Sequence, residues 1–427
     1  MEDFIIDRVD NITLLPPRSG PADTVAGLLS EISRIGTDQQ HGGYWRPVFS
    51  TAEFDLRAWF LAHAAKRGLD VTTDRNGVIW AWWHTPDGRT GNAVVTGSHL
   101  DSVPGGGAFD GPLGVASALV AVDILRADGV RPERPLVIAV FPEEEGSRFG
   151  VACLGTRLLT GAIDVDRART LRDRNGDTFA EVAARSGIDP SRLGPDPQML
   201  AQIGTFIELH VEQGRDLIDR KQPVGIGSSI LGHGRWRLSV TGQGNHAGTT
   251  LMTDRRDPMI AAAGIVMDIR DTARAHPGAR ATVGRLEPVP GGTNVIASRV
   301  DLWLDARHPD DEVTASVVTT ILAHARRISA AEGCTVELTE ESVSRTVDFD
   351  GALRDRLSLL LPDAPVQHTG AGHDAGILAR FVPTAMLFVR NPTGVSHSPE
   401  EYVDDNDAEA GARALARVLA DLLVRAG

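Results

Sequence analysis

The chain has 427 residues, of which 42% are hydrophobic and 23% charged, and it carries a formal net charge of −14. This length allows a large buried core and favours more than one domain. The negative charge argues against nucleic acid or an anionic membrane as the main partner, and no uninterrupted apolar run predicts a membrane span. A small anionic substrate would therefore need a local positive pocket.

Two features of the sequence bear on localisation. The first residues, MEDFIIDRVD, are acidic and lack the basic and then apolar regions of a secretory signal. Cys153 and Cys334 are the only cysteines, and their wide spacing favours two reduced, buried thiols over a disulfide framework. We therefore expect a cytoplasmic protein, in which any metal site uses histidine and carboxylate ligands.

The predicted elements of the first half alternate between strands and helices. NAVVTGSHLD predicts a strand whose apolar run stops at His99, and the next pattern predicts a helix from Pro112 to Gly129. Two further apolar strands, PLVIAVF and GTFIELHV, carry polar residues at their carboxyl ends. This alternation predicts an α/β fold with a sheet covered by helices and with ligands outside the carboxyl ends of the strands.

The pattern changes near residue 229, where strand, helix, two strands, helix and strand follow one another to about residue 342; the second of the two middle strands is NVIASRVDLWLDARH, residues 294–308. This βαββαβ order is typical of a ferredoxin-like α+β unit. We therefore expect a main domain in two parts, 1–228 and 343–427, with residues 229–342 inserted as a compact second domain. The last part ends on a predicted helix whose apolar face consists of Leu415, Leu419, Leu422 and Leu423.

His99 and Asp110 are the first candidate metal ligands. His99 ends a strand, and Asp101 lies two residues on, so that its carboxylate could accept the second N–H of a metal-bound imidazole. Asp110 lies in GGGAFDG, where glycines widen the choice of backbone conformation, and its carboxylate could bridge two metals. A histidine satisfied by the core or by solvent is the alternative for His99. A phosphate-binding loop is disfavoured because the GK[ST] sequence is missing.

Three carboxylates, Glu143, Glu144 and Glu145, follow the strand PLVIAVF. Like charges this close raise one another's pKa and are costly unless something neutralises them. Metal cations would do so and would leave one carboxylate free as a general base. We assign Glu145 to the metal and Glu144 to the base, with a solvated acidic turn as the alternative.

His210 in IELHVEQG and His397 in GVSHSPEE complete the ligand set, although each alone is more typical of a structural histidine. Two metals bridged by one aspartate, each with a histidine and a further histidine or glutamate, would activate a water and polarise a scissile carbonyl. Nitrogen and oxygen ligands favour two Zn²⁺ ions, with Mn²⁺, Co²⁺ or Ni²⁺ as alternatives.

Over roughly residues 50 to 405, the chain resembles the allantoate amidohydrolase / N-carbamoyl-L-amino acid hydrolase group of the M20-type dinuclear zinc amidohydrolases. The motifs that carry the resemblance are GSHLDSVPGGGAFDGPLGV, PEEEGSRFG, IELHVEQG, GNHAGTT, GGTNVIASRVDLWLDAR, GAGHDA and GVSHSPEE. The resemblance implies a zinc-exopeptidase-like catalytic domain with an inserted lid, a homodimer formed through the lid, and two zinc ions. It also implies Glu144 as the base and Asp110 as the bridging ligand.

The resemblance further implies roles for three residues of the inserted domain. His246 would reach the partner protomer's active site and stabilise the developing oxyanion. Asn294 and Arg307 would grip a substrate carboxylate, a contact that suits the guanidinium fork. The alternatives are that Arg307 pairs with Asp305 or Asp310 and that His246 caps a turn.

The resemblance implies that Gln213 and His373 contact the ureido or amide group. The group often has a Pro–Ser pair where this chain has Arg390–Asn391, which bears on substrate identity and not on the metals. We therefore expect a metal-dependent amidohydrolase that cleaves a non-peptide C–N bond in allantoate or an N-carbamoyl-L-amino acid. A metallo-aminopeptidase or N-acyl-amino-acid amidohydrolase of the same superfamily is the alternative, and a non-catalytic binding protein is a third possibility.

Overall fold

The computed structural model describes residues 23–424. The described chain forms two compact units, and the second, Ser229–Val347, interrupts the first in sequence. The acidic first residues, on which the expected localisation rests, lie outside the described residues. Within residues 23–424, no helix is long and apolar enough to cross a membrane.

The helices and strands are numbered in chain order. The helices are α1 Val25–Glu31, α2 Thr51–Lys66, α3 Pro112–Ala127, α4 Leu154–Thr160, α5 Val165–Thr170, α6 Phe179–Arg185, α7 Pro197–Leu200, α8 Asp216–Arg220, α9 Pro258–Ala275, α10 Asp311–Ala331, α11 Gly351–Leu360, α12 Asp374–Leu378 and α13 Asp405–Val424. The strands are β1 Asp70–Thr73, β2 Ile79–Trp83, β3 Ala93–His99, β4 Leu136–Phe141, β5 Ile203–Val211, β6 Val224–Ile230, β7 His233–Thr241, β8 Asn245–His246, β9 Arg280–Val289, β10 Val295–Ile296, β11 Arg299–Arg307, β12 Thr335–Ser344, β13 Val347–Asp348, β14 Val366–Thr369 and β15 Thr384–Val389.

The first unit is built on a nine-stranded mixed sheet with the order β1-β2-β4-β3-β5-β15-β6-β13, and β14 pairs with β6. The central strands β4, β3, β5 and β15 are parallel, whereas β2 and β6 run antiparallel to them. Every residue of β3 and β4 is buried, as expected for apolar strands covered on both faces. The expected mixed sheet covered by helices is confirmed.

Two helices of this unit are evident from the sequence pattern, and they pack against each other. Helix α3 begins at Pro112, contacts β3 and β5, and ends at Ala127 because Gly129 adopts a positive φ of 71° just beyond its last turn. Helix α13 contacts α3. Its buried face includes the four predicted leucines, Leu415, Leu419, Leu422 and Leu423.

The second unit contains β7, α9, β9, β11, α10 and β12, with the antiparallel sheet order β12-β7-β11-β9. This connectivity and order are those of a ferredoxin-like unit. The expected strand over residues 294–308 is interrupted. Strand β10 pairs with β8 in a two-stranded ribbon, and β11 joins the four-stranded sheet of this unit. Cys334 is free and buried in the core of this unit, and Cys153 is free and buried in the first.

Candidate metal centre

The candidate ligands of the first unit meet at one edge of the sheet. His99 is the last residue of β3, His210 lies at the end of β5, and Glu145 follows β4. Because these three strands are parallel neighbours, their carboxyl ends lie side by side. Asp110 lies two residues before α3, and His397 lies in the loop between β15 and α13.

The five expected ligands form two groups that share Asp110. In one group, Asp110 Oδ1 lies 3.4 Å from His99 Nε2 and 3.2 Å from His210 Nε2. In the other, His397 Nε2 lies 3.4 Å from Asp110 Oδ2 and 3.2 Å from Glu145 Oε2. The two carboxylate oxygens of Asp110 thus face different ligand groups, as a bridging carboxylate requires.

These separations fit metal coordination. Zinc bonds to nitrogen and oxygen of about 2.0–2.1 Å in a tetrahedral site place neighbouring ligand atoms about 3.3–3.4 Å apart. Moreover, His99 Nε2, His210 Nε2 and Glu145 Oε1 are buried and have no hydrogen-bond partner among residues 23–424. Buried polar atoms are rarely left unsatisfied, so the donor set fits a pair of divalent cations.

The two buried histidines are held by backbone carbonyls. His99 Nδ1 lies 3.0 Å from the carbonyl oxygen of Asp101, and His210 Nδ1 lies 3.0 Å from that of Val211. A ring that donates its Nδ1–H to a carbonyl presents an unprotonated Nε2, which is the form that binds metal.

The expected role of the Asp101 side chain requires a correction. Its carboxylate lies 3.8 Å from His99 Nδ1, which is too far for a hydrogen bond. The carboxylate instead accepts the backbone N–H groups of Glu144 and Glu145, each at 3.2 Å. The chain turns after β3 so that the Asp101 carbonyl reaches the ring first. Asp101 therefore orients His99 through its backbone and the glutamate turn through its side chain.

Gly111 allows Asp110 and His99 to approach each other. Its φ is +84°, and a Cβ atom at this position would lie 2.6 Å from the imidazole ring of His99. Any other residue would be strained and would also displace the ring.

Glu144 is a buried carboxylate beside the first ligand group and belongs to neither group. Its Oε2 lies 3.7 Å from His99 Nε2, and its Oε1 accepts a hydrogen bond from the Cys153 thiol at 3.4 Å. Burial raises the pKa of Glu144 well above its ordinary value, and the negative charges of Asp374, Glu145 and Glu208 add to the effect. A carboxyl group with a raised pKa can both accept and return a proton near neutrality.

Glu143, the third carboxylate of the turn, points elsewhere. Its side chain accepts the backbone N–H groups of Arg148 at 3.1 Å and Phe149 at 2.6 Å. Its positive φ of 55° turns the chain at this point. Glu143 therefore shapes the turn that presents Glu144 and Glu145.

His373 and Gln213 both lie beside the ligand groups. The ring of His373 is 4.4 Å from that of His210, centroid to centroid, and its buried Nε2 has no hydrogen-bond partner. Burial lowers the pKa of His373 well below its ordinary value, so the ring is neutral. Gln213 Nε2 donates to Asp110 Oδ2 and to Ser396 Oγ, both at 3.0 Å.

Three buried carboxylates that the sequence analysis missed support the site. Glu208 accepts hydrogen bonds from Ser98 Oγ and from the Ala375 N–H, both at 3.0 Å. Asp374 accepts a hydrogen bond from Thr156 Oγ1 at 2.6 Å. The third, Glu401, binds the backbone of the Asp110 loop. Each lies within four residues of a motif histidine, in the sequences ELH, GHD and SHSPEE. This short spacing is the feature of the sequence that could have identified them.

In the second unit, His246 and Asn294 lie on the same ribbon. The Asn294 carbonyl accepts the Ala247 N–H at 3.0 Å. His246 is exposed, and its Nδ1 accepts the Gly248 N–H at 3.1 Å, which leaves Nε2 as the protonated nitrogen. The ribbon therefore presents an exposed N–H donor beside a carboxamide.

Arg307 lies far from Asn294 in this unit. The ribbon adjoins the Arg299 end of β11, and Arg307 is the last residue at the other end, about 26 Å away at a strand rise of about 3.3 Å per residue. Its guanidinium pairs with the Asp305 carboxylate through two contacts of 2.7 and 3.0 Å. The pairing with Asp305 that the sequence left open is therefore present.

The sequence model of the protein family named Peptidase family M20/M25/M40 matches residues 95–421 of this chain. The N-carbamoyl-L-amino acid amidohydrolase of Geobacillus stearothermophilus is 36% identical over 91% of this chain and 95% of its own length. The allantoate amidohydrolase of Escherichia coli (strain K12) is 30% identical over 92% of this chain and 95% of its own length. An amidase of the hydantoinase/carbamoylase family from Burkholderia multivorans, a crystal structure, is 29% identical and superposes with a TM-score of 0.83 over 94% of this chain and 98% of that one. The expected resemblance is thus confirmed, and the chain belongs to Peptidase family M20/M25/M40.

Proposed function

We propose that the protein is a dinuclear metal amidohydrolase that cleaves a non-peptide C–N bond in a ureido or N-carbamoyl acid. The observation that carries the proposal is the sharing of Asp110 by two ligand groups, the first of which holds the buried Nε2 atoms of His99 and His210, unpartnered within the described residues. The names of the relatives from Geobacillus stearothermophilus and Escherichia coli point to N-carbamoyl-L-amino acids or allantoate as substrate.

The first ion would be held by His99, Asp110 and His210, and the second by Asp110, Glu145 and His397. The nitrogen and oxygen donors favour Zn²⁺, with Mn²⁺, Co²⁺ or Ni²⁺ as alternatives. When bound, such a pair lowers the pKa of a water molecule and polarises the scissile carbonyl.

Glu144 would carry the proton. Its Oε2 is free of hydrogen bonds with the described residues and faces His99, whereas Oε1 is held by the Cys153 thiol. As a carboxylate, Glu144 takes a proton from the attacking water and then donates it to the leaving nitrogen, which departs as an amine or ammonia. Each step uses the same oxygen, so no side-chain rearrangement is required.

His373 and Gln213 would orient the ureido group. The neutral ring of His373 has an unpartnered Nε2, and Gln213 has an unpartnered, buried Oε1. One amide oxygen and one imidazole nitrogen can bind the N–H and C=O groups of a planar ureido unit.

The chain would divide into a catalytic domain of residues 1–228 and 343–427 and a lid domain of residues 229–342. The lid domain would form the contact between the two protomers of a cytoplasmic homodimer. His246, with Nε2–H exposed, would donate a hydrogen bond to the developing oxyanion in the partner's site. Because Asn294 shares the ribbon with His246, it would bind the substrate from the same protomer as His246. The guanidinium of Arg307 would bind the substrate carboxylate independently of Asn294, and to do so it would leave its ion pair with Asp305.

A substrate panel tests the proposal. The purified, zinc-loaded enzyme should release ammonia from allantoate or the free amino acid from an N-carbamoyl-L-amino acid. Dipeptides and N-acetyl amino acids serve as controls, and hydrolysis of these alone would replace the proposal with an aminopeptidase or aminoacylase. Absence of turnover of any ureido or N-carbamoyl acid, with two metals bound, would overturn it.

A further inference from the structure

We propose that Glu401 is a positioning residue that joins the loop of His397 to the loop of Asp110 and thereby holds the second metal-binding group together. This inference rests on the proposed function, because it assigns the group formed by Asp110, Glu145 and His397 to a metal ion. Glu401 itself is not one of the ligands.

The carboxylate of Glu401 makes hydrogen bonds in two directions. Its Oε1 accepts the backbone N–H groups of Phe109 at 3.1 Å and Asp110 at 3.0 Å. Its Oε2 accepts the hydroxyl of Ser396 at 3.0 Å, and Ser396 directly precedes His397. The side chain of Glu401 thus connects the loop of Asp110 with the loop of His397. These two loops lie far apart in the sequence.

The surroundings of Glu401 are built to accommodate this side chain. Glu401 is only 3% exposed. A Cβ atom on Gly107 would lie 2.2 Å from Glu401 Oε1 and 2.6 Å from its Cβ, so the glycine leaves the space in which the carboxylate reaches the loop. Burying a carboxylate is costly unless its hydrogen bonds are made, and both oxygens of Glu401 make them.

The two metal groups should depend on Glu401 to different extents. In the first group, the two histidines lie on the buried strands β3 and β5. In the second, His397 lies on a loop, has a positive φ of 56°, and its side chain is 49% exposed. The position of His397 therefore depends on contacts of its loop. The hydrogen bonds from Ser396 to Glu401, and from the Asp110 loop to Glu401, fix that loop in place.

Zinc binding by full-length variants tests this inference. Metal-loaded protein is dialysed against a series of buffered free Zn²⁺ concentrations, and bound zinc is measured by mass spectrometry. In Glu401→Ala, we expect the affinity for the second equivalent to fall about 10–100-fold while the first stays near that of wild type. In Glu401→Gln, the amide oxygen can still accept the backbone N–H groups and the amide can donate to Ser396, so the second affinity should recover.

Glu400→Ala is the matched control, because the exposed carboxylate of Glu400 accepts a hydrogen bond from Ser398 and, within the described residues, none from the Asp110 loop. Both affinities should therefore stay unchanged. Retention of the first zinc in Glu401→Ala shows that the variant folds. Wild-type affinity for both ions in Glu401→Ala would overturn the inference. So would parallel loss of both ions, or a Glu401→Gln variant as weak as Glu401→Ala. Fewer than two zinc ions in the wild type would instead overturn the proposed function.

Discussion

His397 Nε2 lies 3.4 Å from Asp110 Oδ2, although the two residues come from loops at distant points of the chain. The other oxygen of Asp110 faces His99 and His210. One aspartate is therefore common to both ligand groups.

Asp110→Ala should remove both metals, whereas His397→Gln should remove only one. The aspartate supplies a ligand atom to each group, and the histidine supplies one to the second group only. Zinc content per chain checks this difference, and turnover of the preferred ureido or N-carbamoyl acid should fall to background in Asp110→Ala. Equal zinc loss in the two variants would contradict the sharing.

Glu144→Gln should lose about 10²–10⁴-fold in kcat and keep both metals, because the amide cannot accept the proton. Glu145→Gln is the matched comparison, since it is the adjacent residue and should lose affinity for one metal. Steady-state kinetics together with zinc content separates the two. A Glu144→Gln variant that retains wild-type kcat would exclude Glu144 as the base.

Without metal, the stability of the protein should decrease above neutral pH. Hydrogen bonds to Asp110 and Glu145 raise the pKa of His397 to about 11, against an ordinary value of 6.5. Because the pKa is higher in the folded state, the stabilisation is complete below pH 6.5 and is lost as the pH rises towards 11. Urea denaturation of chelator-treated protein at pH 7 and pH 9.5 should show a larger loss for wild type than for His397→Gln. An equal loss in both would show that His397 is uncharged in the folded metal-free protein.

Gly111→Ala should reduce both stability and metal affinity. The substitution combines about 1–3 kcal/mol of backbone strain with a clash against the His99 ring. Gly88→Ala is the control, because Gly88 also has a positive φ, of 71°, but a Cβ there would have no atom within 4 Å. Thermal unfolding should show a loss of stability in both variants, and zinc affinity should fall only in Gly111→Ala. Unchanged zinc affinity in Gly111→Ala would show that the ring tolerates the added methyl group.

Two inactive variants should restore activity when mixed, if His246 acts in the partner's site. Glu144→Gln lacks the base and His246→Ala lacks the oxyanion donor, so a mixed dimer contains one site with both. After exchange of subunits, we expect up to about a quarter of the wild-type rate at a 1:1 ratio, since half of the dimers are mixed and each has one complete site. No recovery in dimers shown to be mixed would contradict this role.

The sequence predicts the convergence of the five candidate ligands because each one ends or follows an apolar strand or lies in a glycine-rich or turn-rich loop. His99 and His210 follow from strand patterns, and parallel strands bring their ends together. The βαββαβ order of the second unit is equally evident from the alternating strand β11 and the amphipathic helices α9 and α10.

The contacts that support the ligands could not be predicted in this way. Whether the carbonyl or the carboxylate of Asp101 meets His99 depends on how the chain turns after β3, and local patterns do not specify that turn. The link from Glu401 to Asp110 joins residues 291 positions apart in the chain, and only the folded backbone shows it. Likewise, the break between β10 and β11 separates Asn294 from Arg307, although the sequence reads as one continuous strand.

Anomalous diffraction at the zinc edge from crystals of the zinc-loaded protein tests the central claim most directly. We predict two peaks per chain, one among His99, Asp110 and His210 and the other among Asp110, Glu145 and His397, each within about 2.0–2.2 Å of an Asp110 oxygen. A single peak would contradict the shared site. So would a zinc ion held instead by Glu208, His210 and His373, which also lie close enough together to bind a metal.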